Sequence, residues 1–138
     1  MNREIKFRAW DKNQKKMFTN IQQKDYIDEY DCLMDFGVWL TSQEDWEIEQ
    51  YIETKDKHKK EIYSGDIIQY DYSDEVSNWC RGEKALVVFS NCAFLGRMKP
   101  FDKRTGTNQN MLKDCSDIIE VIGNIHEATK EQKEEWGL

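Results

Sequence analysis

The sequence predicts a mainly β fold: a small, strongly bent sheet or SH3-like barrel with an N-terminal hairpin and a short C-terminal helix. Short apolar stretches recur along the 138 residues and are separated by polar turns, which is typical of such folds. Only the C-terminal segment carries a dependable signal for the start of a helix. A chain of this length fits one domain over residues 1–138, since it buries roughly 68–70% of the surface of its unfolded form.

The composition is that of a folded protein without a membrane segment. Hydrophobic residues make up 38% of the chain and charged residues 34%, but 12% are aromatic, including five Trp, and disordered chains lack such bulky groups. The longest apolar runs have about five residues, against the roughly 20 needed to span a bilayer. The polar N-terminus has no secretory signal. We therefore expect a cytoplasmic protein with no membrane association.

The N-terminal segment predicts a β-hairpin. Residues 3–10 alternate between two faces, with Ile5, Phe7 and Ala9 on the apolar side. Residues 11–15 supply turn chemistry, and residues 17–21 offer the second strand.

Residues 25–40 match both a helical and a strand pattern. Gly37 is costly inside a helix, and the following Val-Trp-Leu-Thr run favours a strand over about 32–40. Thr41 and Glu44 resemble a capping box, which predicts one helical turn at 42–45 before a strand over 46–52.

A charged turn over residues 54–60 leads to a second tight turn, Ser-Gly-Asp. Because the chain must reverse within three residues there, we expect Gly65 at positive φ, with Asp66 bonding nearby backbone as the next strand begins. Residues 73–82 form a polar connection, and the segments 84–89 and 93–98 predict a hairpin.

Residues 99–113 contain the only Pro and several Asn and Gln residues, so they predict a long flexible loop. The β-branched stretch 118–125 predicts a strand, in which Gly123 marks a bulge or bend. Thr129 and Gln132 are placed as a capping box for a C-terminal helix that ends near Trp136, its anchor.

Cysteine and histidine spacing predicts neither a metal site nor a cofactor. Cys32, Cys80, Cys92 and Cys115 contain no C-x-x-C pair, and the two histidines do not lie at ligand spacing from them. We expect reduced cysteines that act as small buried hydrophobes. The nucleophile elbow, the P-loop, the dinucleotide fingerprint and the zincin motif are all absent from the sequence, so we expect no enzyme and no catalytic residues.

Charge is segregated along this acidic chain, whose net charge is -7. Residues 1–18 carry +4 and residues 86–113 carry +4. Cations interleaved with aromatic rings are the groups with which proteins bind single-stranded nucleic acid. A solvated surface is the competing interpretation, and the pI near 4.9 favours it. The candidate binding residues are Lys6, Arg8, Trp10, Lys12, Lys15, Lys16, Arg97, Lys99, Lys103 and Arg104.

The segment 19–53 carries ten acidic residues and one basic residue. Such a cluster of carboxylates would raise the rate of association with a basic protein, or would occupy a protein site that otherwise binds nucleic acid. A solvated face is the alternative interpretation. The candidates on this acidic face are Asp25, Asp28, Glu29, Asp31 and Asp35.

Three segments together resemble the YopX family of phage and prophage proteins. They are Ile-Lys-Phe-Arg-Ala-Trp-Asp with the following Lys-Lys-Met in residues 5–17, Thr-Lys-Asp-Lys-His-Lys-Lys-Glu-Ile-Tyr-Ser-Gly-Asp-Ile-Ile in residues 54–68, and Val-Ile-Gly-Asn-Ile-His-Glu in residues 121–127. The resemblance implies a phage or prophage accessory protein without enzymatic activity in the bacterial cytoplasm. A host or phage protein is then the expected partner, with a homo-oligomer and nucleic acid as alternatives.

The resemblance carries over no functional residue, because folding explains most of the motif. Phe7, Ala9, Ile62, Ile67, Val121 and Ile125 are expected in the core, and Gly65, Asp66 and Gly123 in structural turns. The chain departs from the family pattern in two places. His58 and Lys59 replace a frequent Asn-Gly, which predicts a looser turn, and Ala128 with Thr129 replaces a Pro-bounded ending by a capped helix.

Overall fold

The computed structural model describes residues 4–27, 31–41, 44–74, 76, 80–90, 93–102, 107–111 and 116–135. The fold is mainly β, with a strongly curled half-barrel sheet and a short C-terminal helix, as predicted. The chain divides into two compact units, Met1–Tyr51 and Ile52–Leu138. A single domain over 1–138 stays a prediction.

Strands outnumber helices in the part of the chain that the structure describes. The strands are β1 (Phe7–Asp11), β2 (Lys16–Thr19), β3 (Tyr26–Ile27), β4 (Leu33–Met34), β5 (Trp46–Lys55), β6 (Glu61–Tyr63), β7 (Asp66–Tyr70), β8 (Lys84–Ser90), β9 (Ala93–Asp102), β10 (Thr107–Met111) and β11 (Ile119–Asn124). The helices are α1 (Phe36–Thr41), a 3₁₀ turn (Ile125–Glu127) and α2 (Lys130–Glu135).

In the first unit, β1 and β2 form the predicted hairpin. Asp11 faces Lys16 across it, and Asp11 Oδ1 accepts hydrogen bonds from the backbone N–H groups of Asn13 and Gln14. On the other side of β1, the first residues of β5 pair antiparallel, with Ala9 opposite Ile48.

The strand predicted over 32–40 is wrong for most of its length, because β4 ends at Met34 and α1 follows. Asp35 caps this helix: its Oδ1 accepts from the N–H of Val38 at 2.9 Å. Gly37 lies in the first helical turn. Thr41 is the last helical residue rather than the cap of a later turn, and of the predicted turn 42–45, residues 42–43 lie outside the described residues.

Aromatic side chains build the core of the first unit. Trp39 on α1 is 2% exposed and packs edge-on against Trp46, whose Nε1 donates to the carbonyl of Trp39 at 2.6 Å. Phe18 and Tyr26 pack against the same ring. Residues 36–41 therefore form a helix and not a strand because the helix buries Trp39 in this core.

In the second unit, five strands pair in the order β10-β9-β8-β7-β11, and β6 neighbours β5. The predicted hairpin of β8 and β9 is confirmed. The loop predicted over 99–113 is wrong within the described residues, since β9 runs to Asp102 and β10 pairs with it. Residues 103–106 and 112–113 of that prediction lie outside the described residues.

The glycine and capping signals are confirmed. Gly65 has φ 90° immediately before β7. The pairing of β11 with β7 shifts between Val121 and Gly123, which is the predicted bulge. Thr129 Oγ1 accepts from the N–H of Gln132, and Gln132 Oε1 accepts from the N–H of Thr129, so the capping box forms. Trp136 lies outside the described residues.

The core of the second unit contains Ile62 and Ile68, both fully buried. In β7 the inward positions are Ile68 and Tyr70, so Ile67, predicted as core, is only half-buried. Ile125 is half-buried as well. In contrast, Ala9 in the first unit is fully buried, as predicted.

The other core predictions are partly confirmed. Phe7 and Val121 are partly buried and pack against the cores of their own units. Cys80 is buried, as predicted, and burial raises the pKa of its thiol; Cys32 is exposed, contrary to the prediction. Among the helices that the structure describes, none is long and apolar enough to cross a membrane.

Candidate functional site

The turn between β5 and β6 holds the polar centre of the second unit. Asp56 is 2% exposed, and its Oδ1 accepts from the N–H groups of His58 and Lys60 at 2.8 and 2.9 Å. Burial alone would raise the pKa of Asp56, but backbone N–H donors, among them that of Val121, outweigh it and lower the pKa. All these bonds lie within the chain, so the carboxylate organises the fold.

This turn is tight, contrary to the looser turn predicted from the family pattern. The N–H of Lys59 donates to the carbonyl of Asp56, and the N–H of Asp56 donates to the carbonyl of Lys60. Lys59 itself has φ 67°, the left-handed conformation that favours glycine.

The candidate residues on β1 and immediately before it make contacts within the first unit. Arg8 is 9% exposed, and its Nε donates to Glu49 Oε1 at 2.8 Å. Trp10 is half-buried and faces Glu47 across the sheet. Lys6 Nζ lies 2.8 Å from Glu4 Oε1. A guanidinium buried against a carboxylate is not presented to a ligand, so Arg8 does not contribute to an exposed basic surface.

Three exposed lysines remain together at the β1–β2 turn: Lys12, Lys15 and Lys16. Lys16 Nζ lies 5.0 Å from the centre of the Phe18 ring. Of the other basic candidates, Arg97 and Lys99 belong to β9, while Lys103 and Arg104 lie outside the described residues.

The ribbon of β3 and β4 presents an apolar pair to solvent. Tyr26 pairs with Met34 and Ile27 pairs with Leu33. Met34 is buried, whereas Ile27 is 60% and Leu33 54% exposed. Isolated exposed apolar residues are ordinary, but two large ones directly across a ribbon form a continuous patch.

Acidic residues flank this patch. Asp25 and Asp31 are exposed beside the two strands, and Asp31 has φ 59°. Asp35 is exposed but caps α1. Asp28 and Glu29 lie outside the described residues. We call Asp25, Ile27, Asp31 and Leu33 the ribbon surface.

A small cavity lies beneath the ribbon surface. Its lining includes Phe18, Tyr26, Met34, Trp39 and Trp46, and its volume is about 20 Å³. That is room for about one water molecule. A side chain cannot enter it, so a partner protein would contact the outer face of the ribbon.

Sequence reasoning missed the Ile27–Leu33 pair and the role of Asp56. The pair had no readable signal, because its strands have two residues each and lie within a stretch with two competing patterns. Asp56 did have one: an Asp that opens a charged turn commonly accepts from the backbone N–H groups that follow it.

Comparison with known proteins identifies relatives over most of the chain. The family model described as YopX protein matches residues 6–130. The structure is similar to that of protein EF1440 from Enterococcus faecalis, with 25% identity and a TM-score of 0.56, over 91% of this chain and 96% of that one. It is also similar to yopX from Bacillus subtilis, with 16% identity and a TM-score of 0.55, over 91% and 95%. A search of curated proteins finds no match.

Proposed function

Because the chain belongs to the YopX family, we propose that it is a phage or prophage accessory protein that acts without catalysis, by binding a host or phage protein in the bacterial cytoplasm. The binding site is the ribbon surface of the first unit.

One observation carries this proposal: Ile27 and Leu33 are cross-strand partners, and each is more than half exposed. Fully burying such a side chain contributes about 1.5–3 kcal/mol. Since both side chains are already partly buried in the free protein, each contributes less than this to the free energy of binding. The pair still supplies the apolar centre that protein interfaces need.

The charge around the pair indicates the chemistry of the partner. Asp25 and Asp31 flank it, in a segment with ten acidic residues against one basic residue. A partner with an apolar side chain between Lys or Arg residues is therefore the best match, because opposite charges speed the encounter and exclude acidic competitors.

The test compares what wild-type and variant proteins capture from a lysate of bacteria that carry the phage. We expect a bound protein that is retained by wild type and lost with Ile27→Ser/Leu33→Ser. Tyr72→Ser is the matched control, because Tyr72 is 75% exposed but belongs to the second unit. The captured protein is then purified and titrated by calorimetry.

In that titration we expect the double serine variant to weaken binding at least about tenfold. Asp25→Asn/Asp31→Asn should mainly slow association and reduce its dependence on salt. Recovery of the same proteins by wild type and the double serine variant would contradict the proposal. Light scattering of the purified chain identifies the case in which the partner is a second copy.

Nucleic-acid binding is the second candidate, and the cluster of Lys12, Lys15 and Lys16 at one turn supports it. Fluorescence anisotropy with single-stranded and duplex oligonucleotides at low salt tests it directly. A rise at about 10 μM protein that disappears in Lys12→Gln/Lys15→Gln would favour this candidate, and its absence would remove it.

A further inference from the structure

A pocket of about 210 Å³ opens on the second unit, where the bulge of β11 meets the turn into α2. Ile67 and Ile122 form its apolar part, and Ile122 is 42% exposed. Its polar lining is contributed by Lys84, Asn124, Glu127 and Gln132. The pocket lies within one unit and is independent of the ribbon surface.

Two amides in the pocket have their orientation set by backbone donors. Asn124 Oδ1 accepts from the N–H of His126 at 3.0 Å, and Gln132 Oε1 accepts from the N–H of Thr129 at 2.9 Å. A backbone N–H can only meet the oxygen of an amide, so each NH₂ group remains as a donor. With the Lys84 ammonium, the residues that line the pocket carry three donor groups suited to a carboxylate.

Glu127 supplies the opposite charge. It lines the same pocket as Lys84, yet within the described part of the chain no ion pair joins the two, and neither has another ionic partner. A positive and a negative side chain that line one pocket without forming an ion pair are suited to a ligand that carries both charges.

Gly123 lines the pocket and, because it has no side chain, leaves space at that wall. Its φ lies outside the left-handed region, and a β-carbon there would meet Glu127 Oε2 at an ordinary 3.6 Å. Neither the backbone nor the packing of the described residues therefore requires glycine at this position. A glycine inside a strand often marks a bulge, as Gly123 does here, or a site where a ligand or another backbone approaches closely.

From these observations, we propose that this pocket binds a small zwitterion of the amino-acid type with an apolar side chain. Lys84 and the two amides hold the carboxylate, Glu127 holds the ammonium, and Ile67 with Ile122 contacts the side chain.

The test is a titration of the ¹⁵N-labelled full chain with L-leucine up to about 10 mM, followed by NMR. We expect saturable shifts of the Gly123, Asn124 and Gln132 amides. Leucinamide lacks the carboxylate and 4-methylpentanoate lacks the ammonium, so each should bind at least about threefold more weakly.

Lys84→Gln should weaken leucine binding about three- to tenfold and abolish the advantage of leucine over leucinamide. Lys130→Gln is the matched control, since Lys130 is exposed on α2 and does not line the pocket. Gly123→Val should block binding while leaving the melting temperature nearly unchanged. The proposal is overturned if L-leucine causes no saturable shift, or if all three compounds act equally on wild type and Lys84→Gln.

Discussion

The carboxylate of Asp56 accepts a hydrogen bond from the backbone N–H of Val121, 65 residues later in the chain, at 2.9 Å. The same carboxylate holds its own turn through the N–H groups of His58 and Lys60. One buried side chain thus fastens the turn before β6 to the edge strand β11. Because two of the segments that resemble the family meet at this carboxylate, their likeness is explained by folding.

Asp56→Asn should lower the free energy of unfolding by about 1–3 kcal/mol. Asparagine keeps one acceptor oxygen, and its NH₂ group must face either Val121 or the turn, where a donor already points. Urea unfolding followed by circular dichroism measures the loss. Asp71→Asn is the control, because it breaks only the surface ion pair with Lys57 and should cost below about 1 kcal/mol. Equal losses for the two variants would contradict the buried role of Asp56.

Acid should remove the contribution of Asp56. Its pKa in the folded protein lies below the ordinary value, since backbone donors outweigh burial. A carboxylate of this kind stabilises the protein fully above its unfolded pKa of about 3.9, and the contribution disappears as pH falls through the lower folded pKa. We therefore expect the stability gap between wild type and Asp56→Asn to narrow below about pH 4. A difference in stability that increases as the pH falls would contradict the lowered pKa of Asp56.

Gly65→Val should destabilise the protein by at least about 1 kcal/mol, because a β-branched residue is strained at φ 90°. Gly82→Ala should cost about 1 kcal/mol for the same reason at φ 72°. Its β-carbon would also meet the Tyr72 ring, but this exposed ring can swing away. Gly123→Ala is the comparison, and a loss equal to that of Gly65→Val would refute the backbone argument.

Lys59→Gly should stabilise the turn, in contrast to most glycine substitutions. Lys59 has φ 67°, which costs a residue with a β-carbon about 1–2 kcal/mol. The extra entropy of glycine in the unfolded chain offsets about 0.5–1 kcal/mol of the gain. We expect a net increase of up to about 1.5 kcal/mol in the free energy of unfolding, measured by chemical denaturation. Lys55→Gly, within β5, should instead be destabilising, and a decrease for Lys59→Gly would contradict the strain.

Arg8→Met should cost about 3 kcal/mol, because it removes the Nε donor from Glu49, which is buried. The double variant Arg8→Met/Glu49→Leu should recover much of this loss, since no buried charge then remains at the pair. A double-mutant cycle by urea unfolding measures the coupling. If the single variant costs no more than a typical surface ion pair, the buried pair does not stabilise the first unit.

The elements that sequence patterns predicted correctly are those decided by neighbours in the chain. The β1–β2 hairpin depends on the turn that follows Asp11, and the capping box of α2 joins residues three apart. Positive φ at Gly65 follows from a reversal within three residues. Short-range sterics and hydrogen bonds act in the same way wherever such a segment is placed.

Two of the errors occurred where contacts from other segments outweighed local preference. Residues 36–41 could form strand or helix, and α1 prevailed because it buries Trp39 against Trp46 and Phe18. The polar residues of β10 predicted a loop, but pairing with β9 supplies their backbone with hydrogen bonds.

The sequence by itself therefore determined the fold class, the β1–β2 and β8–β9 hairpins, the glycine turns and the capped C-terminal helix. Only the tertiary structure decided that Arg8 pairs with Glu49, that Asp56 binds Val121, and that Ile27 and Leu33 form one exposed pair. The physical reason is that the sequence already shows which side chains are charged, which accept hydrogen bonds and which are apolar. Their partners are chosen only when strand pairing and burial bring distant residues together.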